Sequence, residues 1–315
     1  NYLVYSRNLP FLSGAVTWGD GSTGVAGEIS TANSLVGPFS RYESSDFSIT
    51  SLKNGNYVVM CSGCLDGRGS VTFANGSTGI IGVPNESNSL VGEQQGDLVG
   101  IGGVVELTNG NFVVSSYRWN SDRGAATWVN GLTGITGEIT AQNSLIGSRA
   151  QDGISLGNGY SGILPLANGN YVVSSVLWNN HTGSVTWANG VSGITGEVNI
   201  TNSLLGAYEW DQIGREGIVE LSNGNFVVSS GNYNAGQGAV TWVNGQTGIT
   251  GLISDQNSLL GGAGINNFGD WGITPLKNGN YLVSSSYGEK GSLLWRNGSI
   301  QTIGMANPAD ALFGS

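Results

Sequence analysis

The stretch Gly217-Ile218-Val219-Glu220-Leu221-Ser222-Asn223-Gly224-Asn225-Phe226-Val227-Val228-Ser229-Ser230 decides the fold. Two alternating apolar runs, Ile218 to Leu221 and Phe226 to Ser230, flank an Asn-Gly pair. Asn and Gly accept the positive φ of a tight turn, so the stretch predicts an antiparallel hairpin of two strands, A and B. Downstream, Gly238-Ala239-Val240-Thr241-Trp242-Val243-Asn244-Gly245 predicts strand C and a second turn. Thr247-Gly248-Ile249-Thr250-Gly251 then predicts strand D.

Outward from this copy the pattern recurs six times. The aromatic after the hairpin Asn stands at Tyr2, Tyr57, Phe112, Tyr171, Phe226 and Tyr281, in steps of 55, 55, 59, 55 and 55 residues. The strand C aromatic stands at Trp18, Phe73, Trp128, Trp187, Trp242 and Trp295, each followed two residues later by Asn-Gly or, once, Asp20-Gly21. Asn-Ser-Leu-x-Gly follows at Asn33, Asn88, Asn143, Asn202 and Asn257, worn down to Asp310-Ala311-Leu312-Phe313-Gly314 in the last copy. An Asp precedes each next hairpin, at Asp46, Asp97, Asp152, Asp211 and Asp270. The four extra residues of the 59-residue step fall around Gly153 to Ser161.

Four antiparallel strands in a unit of this length are what a propeller blade contains. The expectation is an all-β, six-bladed β-propeller, a single domain over 1–315. Its units run approximately 1–55, 56–110, 111–169, 170–224, 225–279 and 280–315. No segment carries a helical apolar period with caps, so almost no helix is expected. Strand A occurs only five times, because the chain starts at a B strand, as an excised piece of something longer would. The first unit's A strand is therefore missing, or comes from Leu312-Phe313, or comes from a neighbouring molecule. An open edge of that kind invites strand addition, which makes a polymerising array the alternative to a closed ring.

Composition excludes several function classes. A net charge of −10 and a pI near 4.4 argue against nucleic acid, whose phosphates need clustered Lys and Arg. No apolar run is long enough to insert in a membrane. Cys61 and Cys64 lack the second ligand pair of a zinc site and read as a local disulfide or two loop thiols.

Catalytic patterns are equally thin. His181 stands alone in a polar stretch, so a Ser-His-Asp set has no convincing base. Gly153-Ile154-Ser155-Leu156-Gly157 matches a nucleophile elbow only in letters, without the strand-to-helix turn. The recurring Asp residues suit corners where a carboxylate binds backbone N–H groups. Their convergence at one mouth would instead suit calcium or, least of all, glycoside cleavage. No cofactor is expected, with calcium the one metal to consider.

The aromatics fall into two groups. The strand C set sits at fixed register and predicts packing between repeats. Trp119, Trp178, Tyr233 and Tyr287 lie instead between strands B and C, with Asn120 and Asn179 adjoining. Aromatic faces beside Asn and Arg grip sugar rings, so these six residues are the candidate glycan site. The competing reading folds those rings onto the sheet. Trp210 and Trp271, near the strand A entries, are undecided.

Leu-x-Asn-Gly-Asn-Tyr-Val-Val, Gly-Ala-Val-Thr-Trp-x-Asn-Gly-x-Thr-Gly and Asn-Ser-Leu-x-Gly together resemble repeats of very long bacterial secreted proteins, described as filamentous-haemagglutinin-like or adhesin-like. The resemblance covers essentially the whole chain and implies an extracellular, cell-surface setting with no catalytic site. Family copies often carry Trp-Asp-Asn after strand B; here Trp119-Asn120 and Trp178-Asn179 approach it, with Leu9, Cys64 and Tyr233 at the matching positions. The leading expectation is a non-enzymatic adhesion or recognition domain, binding surface glycans weakly at several loops. The alternative is a structural subunit of a surface filament or sheath, whose partner is another copy of itself. A glycoside-cleaving enzyme ranks third.

Overall fold

The computed structural model describes residues 1–7, 12–38, 47–158, 161–262, 266–287 and 290–314. The chain divides into two compact units: residues 1–146 with 190–196, and residues 147–189 with 197–315. Each of the six repeats forms its own sheet, so the protein is all-β.

The opening stretch forms its hairpin as the Asn-Gly pair demands. Gly217–Glu220 pairs antiparallel with Phe226–Ser230, which pairs antiparallel with Ala239–Val243, Val227 facing Trp242. Strand B is buried from end to end in repeats two to five because both its faces are covered. Strand D departs from expectation. After Val243 the chain turns at Asn244, where Gly248 N–H donates to the Asn244 carbonyl, and leaves its own sheet. Gly251–Leu252 then pairs in parallel with Leu204–Leu205 of the preceding repeat. The same loan is made by Gly137–Glu138 to Leu90–Val91 and by Gly304–Met305 to Leu259–Leu260. The fourth place in the sheets of repeats two to five goes to the Asn-Ser-Leu segment, with Leu259–Leu260 antiparallel to Ala239–Val243. The repeat is thus a three-strand meander plus a closing strand, completed by a short parallel strand from its successor.

That arrangement explains the Asn-Ser-Leu motif. Buried Thr241 and Ser258 hydroxyls meet at 2.7 Å, and Ser258 Oγ donates to Asn257 Oδ1 at 2.9 Å. Asn257 Nδ2 donates to the Leu252 carbonyl at 2.8 Å, fastening the outgoing strand to the closing one. The same relay joins Thr72, Ser89 and Asn88, and Thr127, Ser144 and Asn143. Buried hydroxyls need partners, and here each supplies the next.

Within each unit, successive repeats are latched at one atom. The Gly245 carbonyl oxygen accepts Asn168 Nδ2 at 2.8 Å, Asn170 Nδ2 at 3.1 Å and Trp187 Nε1 at 3.1 Å. Gly190 takes the same three donors from Asn109, Asn111 and Trp128, and Gly298 from Asn223, Asn225 and Trp242. Phe73 has no N–H to give, so Gly131 receives only Asn54 and Asn56. Glycine is required at this atom: a Cβ on Gly245 would lie 1.8 Å from the Gly224 carbonyl oxygen. The strand C rings also press on the next Thr-Gly, since a Cβ on Gly248 would sit 2.6 Å from that of Trp187. Trp18, Phe73, Trp128 and Trp187 thus perform the packing role read for these rings.

The terminal repeats are incomplete. Tyr2–Ser6, Leu12–Gly19 and Leu35–Pro38 make a three-stranded sheet with Tyr2–Ser6 at its edge. No strand A adjoins it among the described residues. Ala311–Phe313 pairs antiparallel with Lys290–Arg296, so Leu312 and Phe313 close the last sheet, not the first. Helix is confined to the 3-10 turn Pro308–Asp310 and four short turns that prove left-handed.

Candidate functional site

The link between strands B and C is not an open loop. At Trp119–Asp122, Trp178–His181 and Tyr233–Gly236 the residue after the aromatic begins a run of positive φ. Asn120, Ser121 and Asp122 stand at φ 51, 60 and 61°. Left-handed turns cost L-residues roughly 1–2 kcal/mol each, least for Asn, and Asn is what stands first in all three. Each turn is closed by a glycine N–H, Gly124 to the Trp119 carbonyl, Gly183 to Trp178 and Gly238 to Tyr233.

The turn drives its aromatic inward, which corrects the glycan site read from the sequence. Trp119, Trp178 and Tyr233 are 5, 8 and 6% exposed. Trp119 packs with Val58, Val99 and Phe112, and Tyr233 with Phe226 and Val228, donating its hydroxyl to the Ile253 carbonyl at 3.0 Å. Burial, above all, pushes the Tyr233 hydroxyl's pKa upward. Asn120 and Asn179 are half-buried, held through their backbone N–H groups. Tyr287 belongs to strand Tyr281–Tyr287, opposite Lys290. No ring of the three turns is offered flat to solvent. The polar neighbours concealed this, because Asn120, Asn179 and Asn234 begin the left-handed turns.

In the second repeat Cys64 occupies the aromatic position, and a disulfide joins it to Cys61 at the end of strand B. Both sulfurs lie in the core beside Tyr57 and Val59. A cross-link replaces the plug.

Asp97, Asp152 and Asp211 cap these turns. Asp211 is buried, and its Oδ1 accepts the Asn234 N–H at 2.8 Å while Oδ2 accepts those of Ala207 and Tyr208 at 2.9 and 2.8 Å. Asp152 does the same for Asn179, Ser148 and Arg149, and Asp97 for Asn120 and Gln94. Asp270 accepts the Ser286 N–H and hydroxyl. Asp46 and Leu9 lie outside the described residues. Among the described residues no three His, Cys, Asp or Glu side chains converge as metal ligands would.

Two surface features remain. In the last repeat, Trp295 is 50% exposed, and neither its N–H nor the side-chain amides of Asn278 and Asn280 meet an acceptor among the described residues. These three are the latch donors of that repeat. The second is a cleft of about 340 Å³ lined by Arg149, Gln151, Asn180, His181, Glu209 and Trp210. There the His181 and Trp210 rings stack, centroids 4.2 Å apart and planes 10° from parallel. Sequence reading set His181 aside and left Trp210 open. The available signal was position: Trp210 stands just before the recurring Asp, where the second and third repeats have Gly96 and Gln151.

The structure defines a tandem-repeat protein of six all-β units. Its sequence matches a family described as a repeat of unknown function (DUF5650) at residues 1–42, 51–101, 106–156, 165–215, 220–270 and 275–315, and the chain belongs to that family. No curated relative matches. Among solved structures it is similar to one titled as the eukaryotic initiation factor, with 12% identity and a TM-score of 0.42. That match covers 96% of this chain and 64% of the other.

Proposed function

We propose that this chain is a non-enzymatic structural module of an extracellular surface array that grows by adding further copies end to end, the polymerising alternative to a closed β-propeller ring. The observation carrying this reading is the latch that recurs from one repeat to the next with the same donors and the same glycine acceptor. The side-chain N–H donors of Asn278, Asn280 and Trp295 match those that hold Gly190, Gly245 and Gly298 elsewhere, and would hold the corresponding turn of a further copy. The first repeat supplies the counterpart, an exposed Asp20-Gly21 turn with Thr23-Gly24 behind it. Tyr2–Ser6 stands at the edge of its sheet among the described residues. The repeats need no adaptor, because each junction already follows the same chemistry. A disulfide in the second repeat suits an oxidising, extracellular compartment. The repeat resemblance points to a bacterial cell surface, where such an array would serve adhesion.

Light scattering across a concentration series tests this. The mass should rise from 32.5 kDa toward multiples of it, and Trp295→Ala should hold it at one chain. A wild-type mass constant at every concentration, or assembly unchanged by Trp295→Ala, overturns the reading.

A further inference from the structure

The geometry points to a saccharide-binding subsite at Trp210, independent of end-to-end growth and separate from the buried aromatics of the turns. Trp210 has φ +70°, a conformation in which bulky residues are outliers. The matching positions take φ +95° at Gly96 and +68° at Gln151. A glycine therefore satisfies the backbone, and the fold gains nothing from an indole held there at 60% exposure.

What the indole does is form a platform. Its one face rests on His181, which lies on the left-handed turn fixed by Asp152 through the Asn179 N–H at 2.9 Å. The Gln212 N–H donates to the His181 carbonyl at 2.9 Å, tying the Trp210 segment to the same turn. The ring is thus braced from behind, with its remaining surface toward solvent.

Polar groups surround this platform in one cleft. Asn180 Nδ2 donates to Glu209 Oε1 at 3.3 Å, holding that carboxylate at the rim. Arg149 contributes a guanidinium with no acceptor among the described residues, and the buried His181 Nδ1 is likewise without one. The rim offers one cation and one anion, so neither a polyanion nor a polycation is favoured over the other. A neutral pyranose fits both halves of the site. Its axial C–H face stacks on an aromatic ring, and its hydroxyls donate to Glu209 and accept from Arg149. A cleft of about 340 Å³ suits one or two sugar units.

The test is saturation-transfer NMR on the full chain with glucose-, galactose-, mannose- and N-acetylglucosamine-terminated oligosaccharides, glucuronate-terminated ones and an aromatic tripeptide. A neutral sugar should receive saturation, and Trp210→Gly should weaken its binding about tenfold or more. Because glycine suits φ +70°, that variant should unfold at the same temperature as wild type or higher, which separates loss of the site from loss of the fold. Arg149→Ala should weaken the same sugar, while Trp271→Ala, another exposed indole at 62%, should leave it unchanged. Binding that persists in Trp210→Gly, saturation of the glucuronate ligands or the tripeptide alone, or saturation of no ligand, overturns the proposal.

Discussion

Replacing Trp187 with Phe isolates the latch between repeats. The change keeps a ring in the strand C register and removes the N–H that reaches Gly245 at 3.1 Å. One hydrogen bond of this kind contributes about 1 kcal/mol net, and the Gly245 carbonyl keeps Asn168 and Asn170. Phe also withdraws part of the surface that presses on Gly248, worth about 0.5 kcal/mol for a half-buried ring. The expected cost is therefore about 1–2 kcal/mol. Trp295→Phe is the matched control, with the same residue at the same register, half-exposed and with its indole N–H meeting no acceptor among the described residues. At concentrations too low for assembly its cost should stay below about 0.5 kcal/mol. Urea unfolding followed by far-ultraviolet circular dichroism gives both numbers under one protocol. Equal costs for the two substitutions would refute the latch, since they would show that the N–H bond adds nothing.

The second repeat offers the converse, because Phe73→Trp supplies Gly131 with a third donor and should raise stability by up to about 1 kcal/mol in the same assay. Asp211→Ala strips three N–H groups of their acceptor and should cost about 3–5 kcal/mol, read most directly as faster amide exchange at Ala207, Tyr208 and Asn234. Reducing the Cys61–Cys64 disulfide should cost about 2 kcal/mol on loop entropy, recoverable by Cys61→Ser with Cys64→Trp, which rebuilds the plug of Trp119. Glu216 titrates with the opposite sign to a paired carboxylate. Burial, its largest influence, raises its pKa above 4.5, so its share of stability is present below 4.5 and is lost as pH rises through the folded-state value. Glu216→Gln keeps an acceptor for the Gly231 N–H and should be the more stable form at pH 7, with the difference fading at pH 4.

The A–B hairpin, strand C and the work of its aromatic were legible because a six-fold repeat averages out accident. The Asp residues were legible too, since a corner acid has few roles. Strand D was misplaced for a physical reason: a two-residue pair such as Gly251–Leu252 carries no periodicity that separates parallel from antiparallel partners. The burial of Trp119 and Trp178 was hidden in a polar run. Its one signal was the Asn after each, followed by the closing Gly124 or Gly183. Trp210 was left undecided because its meaning lies in comparison with Gly96 and Gln151, not in its immediate neighbours.

The parallel loan between successive repeats sets a timetable for synthesis. Leu90–Val91 is completed only when Gly137–Glu138 arrives, 47 residues later in the chain. At a typical elongation rate of 5–20 residues per second, each nascent sheet waits roughly 2–9 s with its closing edge bare. A ribosome pausing inside a repeat would thus expose the edge of the one before it. Any cut or fusion made at a repeat boundary would leave the upstream sheet one strand short, so the heritable unit of this sequence and its physical unit are offset by most of a repeat.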